Sequence, residues 1–181
     1  MFFDWECATP DEVFTRLEDE LAPRGYIADG WLDAVRTRED AYPTGLAMPA
    51  ANIAIPHTDP GFVAKPYIAV VKPAAPVTFN AMAGMGAPVP AQIVINLGIA
   101  EPGGQVEALQ ALMNIFMDAD AAADVLGQTT PQGMVDAIRR HFKAGTWGLS
   151  LTAGRKGTSQ VPGLPLCRGG CVVTQWRLFD S

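Results

Sequence analysis

The sequence predicts an α/β fold: a mixed β-sheet flanked by helices, in a single compact domain. Three observations predict it. Apolar residues recur with helical period near the start, strand-like runs fill the middle, and helical period returns towards residue 142. With 181 residues, 49% of them apolar and 18% charged, the chain is long enough to bury one substantial core.

Thr9-Pro10-Asp11-Glu12 reads as a helix start, with Thr9 as N-cap, Pro10 at the first position and Glu12 closing a capping box. Val13, Phe14, Leu17 and Leu21 fall on one face until Pro23-Arg24-Gly25 ends the helix. Asp29 is expected to cap a second helix, carrying Trp31, Leu32 and Val35, which runs out near Arg38-Glu39 before the break at Pro43-Thr44-Gly45. The period then changes. Residues 67–71, 77–79 and 91–99 read as strands, the last with Ile93, Ile95 and Leu97 on one face and Gln92, Val94 and Asn96 on the other. The intervening Met82-Ala83-Gly84-Met85-Gly86 is a loop without the Lys-Ser/Thr ending of a phosphate cradle. After Glu101-Pro102-Gly103-Gly104, the residues Val106, Leu109, Leu112, Met113 and Phe116 form a helical core stripe. An Ala-rich helix around 119–126 follows, and another opens at Thr130-Pro131 with Met134, Val135, Ile138 and Phe142 inward.

Residues 1–151 therefore form the domain, and 152–181 read as a flexible basic tail. The tail holds Arg155, Lys156, Arg168 and Arg177 against Asp180, a charge of +3, so a total of −6 leaves −9 on the domain. No basic stripe with interleaved aromatics appears, which argues against nucleic acid. No apolar run approaches the roughly 20 residues that span a bilayer, so no direct membrane insertion is expected. Acids at Asp4 and Glu6 do not suit a signal peptide, and the expected location is the cytoplasm. Cys7, Cys167 and Cys171 have no metal-ligand spacing around them, so neither metal nor cofactor is expected.

The segment Asn52-Ile53-Ala54-Ile55-Pro56-His57-Thr58-Asp59-Pro60 carries one of only two histidines to the end of a short apolar run, pinned between prolines. A neutral imidazole held there can act as base, metal ligand or nucleophile, and its surroundings favour the last. Asp59 reads as a turn former before Pro60-Gly61. His141, after Arg139-Arg140 in the last turn of a helix, reads as a cation on the negative end of the dipole.

Tyr26…Trp31-Leu32-Asp33-Ala34-Val35-Arg36-Thr37-Arg38-Glu39…Tyr42-Pro43-Thr44-Gly45-Leu46…Asn52-Ile53-Ala54-Ile55-Pro56-His57 resembles the fructose/mannitol-type enzyme IIA domain of the bacterial sugar phosphotransferase system. The galactitol-like branch, with its Asn-x-Ala-Ile-Pro-His-Thr wording, looks closest. The likeness runs over about residues 10–142, and the tail has no counterpart in it. The resemblance implies a phosphotransferase component whose His57 accepts a phosphoryl group from the histidine-containing phosphocarrier protein. It implies onward transfer to a cysteine of a IIB component, for carbohydrate uptake through the membrane IIC channel. By the same resemblance Arg38 is the phosphoryl-stabilising cation. The position of the family's frequent second active-site histidine falls on Gln105. The alternative, of a different class, is a regulatory IIA-like module in which phosphorylation of His57 switches protein binding.

Phosphoryl transfer asks mainly for positioning and charge stabilisation. One ring nitrogen of His57 must be free, and the other must donate its proton to a fixed acceptor, for which a backbone carbonyl suffices. The incoming group adds about −1.5 to −2 charge. Arg38 offers a planar fork for its oxygens, Thr44 and Thr58 offer hydroxyls, and Gln105 lies near a helix start where N–H groups favour an anion. Met48, Ile55 and Phe62 are expected to ring His57 as an apolar docking surface.

Overall fold

The structure, a computed structural model, describes residues 1–84, 86–99, 104–141 and 174–175. Its main sheet runs in the order β1-β4-β7-β3-β2, formed by β1 (Phe2–Trp5), β2 (Gly45–Ala47), β3 (Asn52–Ala54), β4 (Tyr67–Pro73) and β7 (Ile93–Gly98). β1 lies parallel to β4 and β3 parallel to β7, whereas β4–β7 and β2–β3 are antiparallel. The sheet is mixed, as expected. β5 (Val77–Phe79) and β6 (Val89–Ala91) form a separate antiparallel pair, and the two-residue β8 (Thr174–Gln175) lies against the start of β4.

Period 2 on the central strands decides which helices cover which face. Ile68 and Val70 of β4, with Ile93, Ile95 and Leu97 of β7, join a core closed by α3 (Gly104–Met117), α4 (Ala119–Leu126) and α5 (Pro131–His141). Tyr67, Ala69, Val71 and Val94 point the other way, into a second core closed by α1 (Pro10–Leu21) and α2 (Trp31–Ala41). Both faces of the sheet are thus buried, which is why β7 reads as a nearly continuous apolar run. Leu112, Ile115 and Phe116 supply the inward stripe of α3; the side chains of Val106 and Leu109, and Phe142 beyond α5, lie outside the described residues.

Local chemistry explains most boundaries. Thr9 Oγ1 accepts the Glu12 N–H at 3.3 Å, while Glu12 reaches back one residue further than a capping box requires, to the Ala8 N–H at 2.7 Å. The expected cap of α2 is corrected. Gly30, at φ 82°, is its N-cap, so Asp29 supplies no side-chain oxygen there, and the Trp31 N–H goes to the Ala28 carbonyl at 3.3 Å. α2 runs on to Ala41 because the first residue barred from helix is Tyr42, which precedes Pro43 and sits at φ −136°. The anticipated 91–99 strand is two strands, with Gln92 between them giving its N–H to the Asn52 carbonyl at 2.8 Å. β1 and β2 were not anticipated; each has fewer than five residues, too short to show a period.

Of the expected tail, only Thr174 and Gln175 fall within the described residues. Among the described residues no helix is long and apolar enough to cross a membrane.

Candidate functional site

β3 and β7 are parallel, and His57 extends their ladder by bridging Leu97, which places the ring at the carboxyl ends of two parallel strands. Sites in open α/β sheets gather at such ends. The peptide before the ring is fixed from two directions. The Pro56 carbonyl accepts the Leu97 N–H at 3.3 Å and the Asn96 amide Nδ2 at 2.9 Å. Asn96 is fully buried in an otherwise apolar strand, and its Oδ1 accepts the Tyr67 hydroxyl at 2.8 Å. Burial holds the Tyr67 phenol protonated well above its ordinary range, so it stays a donor. Gly98 faces Tyr67 across the antiparallel pair, and a Cβ there would lie 2.0 Å from the ring.

Two contacts settle the tautomer of His57. Nδ1 lies 2.9 Å from the Ile55 carbonyl, which can only accept, so Nδ1 carries the proton. Nε2 lies 3.0 Å from Nη2 of Arg38, which can only donate, so Nε2 presents its lone pair. Burial is the main cause that holds the imidazole below its ordinary value. The Ile55 hydrogen bond opposes it, the Arg38 charge reinforces it, and Asp59 opposes it weakly. A neutral, oriented ring with its lone pair on a guanidinium results.

Arg38 arrives from the last turn of α2. Its Nη1 lies 3.7 Å from Asp59 Oδ1, and its Cζ lies 5.4 Å from the centroid of Tyr42, four residues on and largely exposed. Next to it, Glu39 turns inward. The Glu39 carboxylate accepts the Thr44 N–H at 2.9 Å and the Thr44 hydroxyl at 2.8 Å. Burial raises the Glu39 carboxyl above its ordinary value, and the two Thr44 hydrogen bonds pull it back. The Thr44 carbonyl accepts the Ile55 N–H at 3.3 Å, so one loop ties α2 to the strand that ends in His57.

The sequence-predicted residues are therefore brought together unequally. His57 and Arg38 are in direct contact. The Thr44 hydroxyl donates to Glu39 at 2.8 Å and here braces α2 against the loop ahead of β2. Thr58 is 1% exposed, and its Oγ1 has no hydrogen-bond partner among the described residues. Gln105 is the second residue of α3, which begins six residues after β7 ends at the level of His57; its side chain lies outside the described residues. The expected apolar ring is also corrected: Ile55 is core, while Met48 and Phe62 pack against the two opposite cores. His141 is held by Asp124, Nε2 to Oδ2 at 2.9 Å, rather than serving only the helix dipole. Sequence reasoning missed Asn96, Tyr67, Glu39 and Tyr42. A lone Asn inside Ile-Val-Ile-Asn-Leu was the available signal for the first. Among the described residues no cluster of His, Cys, Asp and Glu fits a metal.

Residues 1–141 match the family described as the phosphoenolpyruvate-dependent sugar phosphotransferase system, EIIA 2. The chain belongs to this EIIA family. It is 29% identical over 109 residues to the galactitol-specific EIIA component of Escherichia coli (strain K12), covering 60% of this chain and 72% of that protein. Its fold is similar to a chain in the complex of enzyme IIAMTL and phosphorylated enzyme IIBMTL from Escherichia coli (TM-score 0.62, 19% identity, 77% of this chain and 94% of that one). It is also similar in fold to the nitrogen regulatory protein IIA-Ntr from Neisseria meningitidis (TM-score 0.56, 22% identity, 76% and 90%).

Proposed function

We propose that this EIIA chain is a phosphohistidine relay in which Nε2 of His57 takes a phosphoryl group from the histidine-containing phosphocarrier and gives it to a IIB cysteine. The observation that carries this reading is the pair of contacts on the imidazole: the proton fixed on Nδ1 by the Ile55 carbonyl, the lone pair on Nε2 beside the Arg38 fork. In the inward step the Nε2 lone pair forms the new N–P bond. The donor's N–P bond breaks, and its electron pair returns to the donor ring. In the outward step a cysteine thiolate attacks phosphorus and the N–P electrons return to Nε2, so no proton moves at His57 in either direction. Arg38 swings from the lone pair to the phosphoryl oxygens, where two parallel N–H donors suit them. Thr58 and the first N–H groups of α3, beginning at Gly104 and Gln105, are further donors in this reading.

The galactitol-specific relative supports uptake of a galactitol-like carbohydrate by way of the membrane IIC component, which this chain would serve indirectly. The complex containing phosphorylated IIBMTL supports a IIB partner. The IIA-Ntr likeness keeps the regulatory role as the second reading, in which phosphorylation of His57 ends in altered binding instead of transfer. Incubation with phosphoenolpyruvate, enzyme I and the phosphocarrier tests the first step. Wild-type protein should gain one phosphoryl group by mass and His57→Ala none; equal labelling of both overturns the assignment. Loss of the label to an added IIB protein then separates transport from regulation.

A further inference from the structure

Arg38 is shared. Its Nη2 serves the Nε2 lone pair at 3.0 Å, while its Nη1 faces the Asp59 carboxylate at 3.7 Å, beyond hydrogen-bond reach but within ion-pair range. That carboxylate is 75% exposed and has no other hydrogen-bond or ion-pair partner among the contacts of the described residues. Its place is held by backbone. Asp59 precedes Pro60, its carbonyl accepts the Phe62 N–H at 3.2 Å, and the Phe62 carbonyl accepts the Ala28 N–H at 3.0 Å just ahead of α2. The turn is thus anchored while the side chain is free to rotate. An acid facing the guanidinium that touches His57 is more than a turn former.

We infer that Asp59 is an anionic stand-in for the phosphoryl group: it holds Arg38 while Nε2 is bare, and disfavours the phosphorylated ring once the real dianion arrives. This rests on the relay reading of His57. When Nε2 bonds phosphorus, the Arg38 fork moves to the phosphoryl oxygens and leaves Asp59. The carboxylate then sits close to a like charge with its counter-ion withdrawn, and Coulomb repulsion at such separation is not negligible near a surface. The group on His57 is thereby kept labile in both directions. Asp59 makes no bond to phosphorus and donates no proton; it is a positioning residue, acting through Arg38 and through charge.

The test measures the equilibrium fraction of phospho-His57 against a fixed ratio of phosphorylated to free phosphocarrier. It also follows the lifetime of the label after the phosphocarrier is removed. Asp59→Asn, which keeps the shape and the turn preference, should raise the equilibrium ratio and the lifetime about three- to tenfold. Asp59→Glu should stay within about twofold of wild type. In 1 M KCl, where the Debye length is only about 3 Å, the difference between wild type and Asp59→Asn should fall below about twofold. A purely structural role would not follow salt. Labelled His57 with Asp59→Asn indistinguishable from wild type overturns the stand-in role and leaves the relay intact, as does an Asn effect that persists in 1 M salt. Failure of wild-type protein to label at all overturns both.

Discussion

Removing the guanidinium of Arg38 is the sharpest probe of the relay. In Arg38→Ala the Nη2 contact to Nε2 at 3.0 Å disappears, and with it the two N–H donors that, in the proposed relay, turn to the phosphoryl oxygens. A hydrogen bond to a charged group is worth about 1.5–3 kcal/mol. Two of them, discounted for a side chain 33% exposed, give about 3–4 kcal/mol of lost stabilisation. With a factor of ten for every 1.4 kcal/mol or so, phosphocarrier-dependent labelling should slow about 10²–10³-fold. Arg38→Lys, which keeps charge but loses the fork, should fall between. An NMR titration of the imidazole supplies a second reading independent of phosphorus. The Arg38 charge is among the causes that hold His57 down, after burial, so its loss should move the inflection upwards. Labelling of Arg38→Ala within about threefold of wild type, or an inflection that does not rise, would refute the assignment of Arg38 as clamp.

Three further outcomes follow from the packing. Thr44→Val removes the hydroxyl bond to Glu39 and leaves a buried carboxylate one donor short; unfolding in urea should show a loss of about 1–3 kcal/mol at neutral pH. Asn96→Leu removes the partner of the Tyr67 hydroxyl and takes one of two donors from the Pro56 carbonyl, for about 2–4 kcal/mol, whereas Tyr67→Phe should cost about 1 kcal/mol; strictly additive losses in the double variant would mean the pair is not coupled. For His57, the unfolded ring binds a proton at about pH 6.5 while the folded ring still resists it. The unfolded state therefore holds more protons between that pH and the folded value, so stability should fall as pH drops through this window and be flat above it. Urea midpoints of wild type and His57→Gln, compared across that range, read the difference.

The sequence made the helices legible because each displays several turns of one period. Thr9, Val13, Leu17 and Leu21 already describe α1, and 119–126 is α4 as found. Strands of three or four residues display no period, and β1 and β2 were invisible for that reason; β1 is further interrupted by Asp4 at φ 53°. At the site, the string around His57 named the ring, and the resemblance added Arg38. What neither contained was the direction of each side chain. Thr44 looks like a free hydroxyl until Glu39, five residues earlier, is known to face inward. Asp59 looks like turn chemistry until α2 brings Arg38, 21 residues upstream, to its carboxylate. These pairings are consequences of how α2 and the 60–62 turn pack, and no local pattern encodes them.

The Ile55 carbonyl that anchors Nδ1 has a kinetic corollary. In the proposed relay, hydrogen is parked on the far side of the ring throughout a cycle, so His57 would need neither acid nor base to reset itself. After each discharge the imidazole is already in the form that accepts the next load, and solvent deuterium should leave turnover almost unaltered.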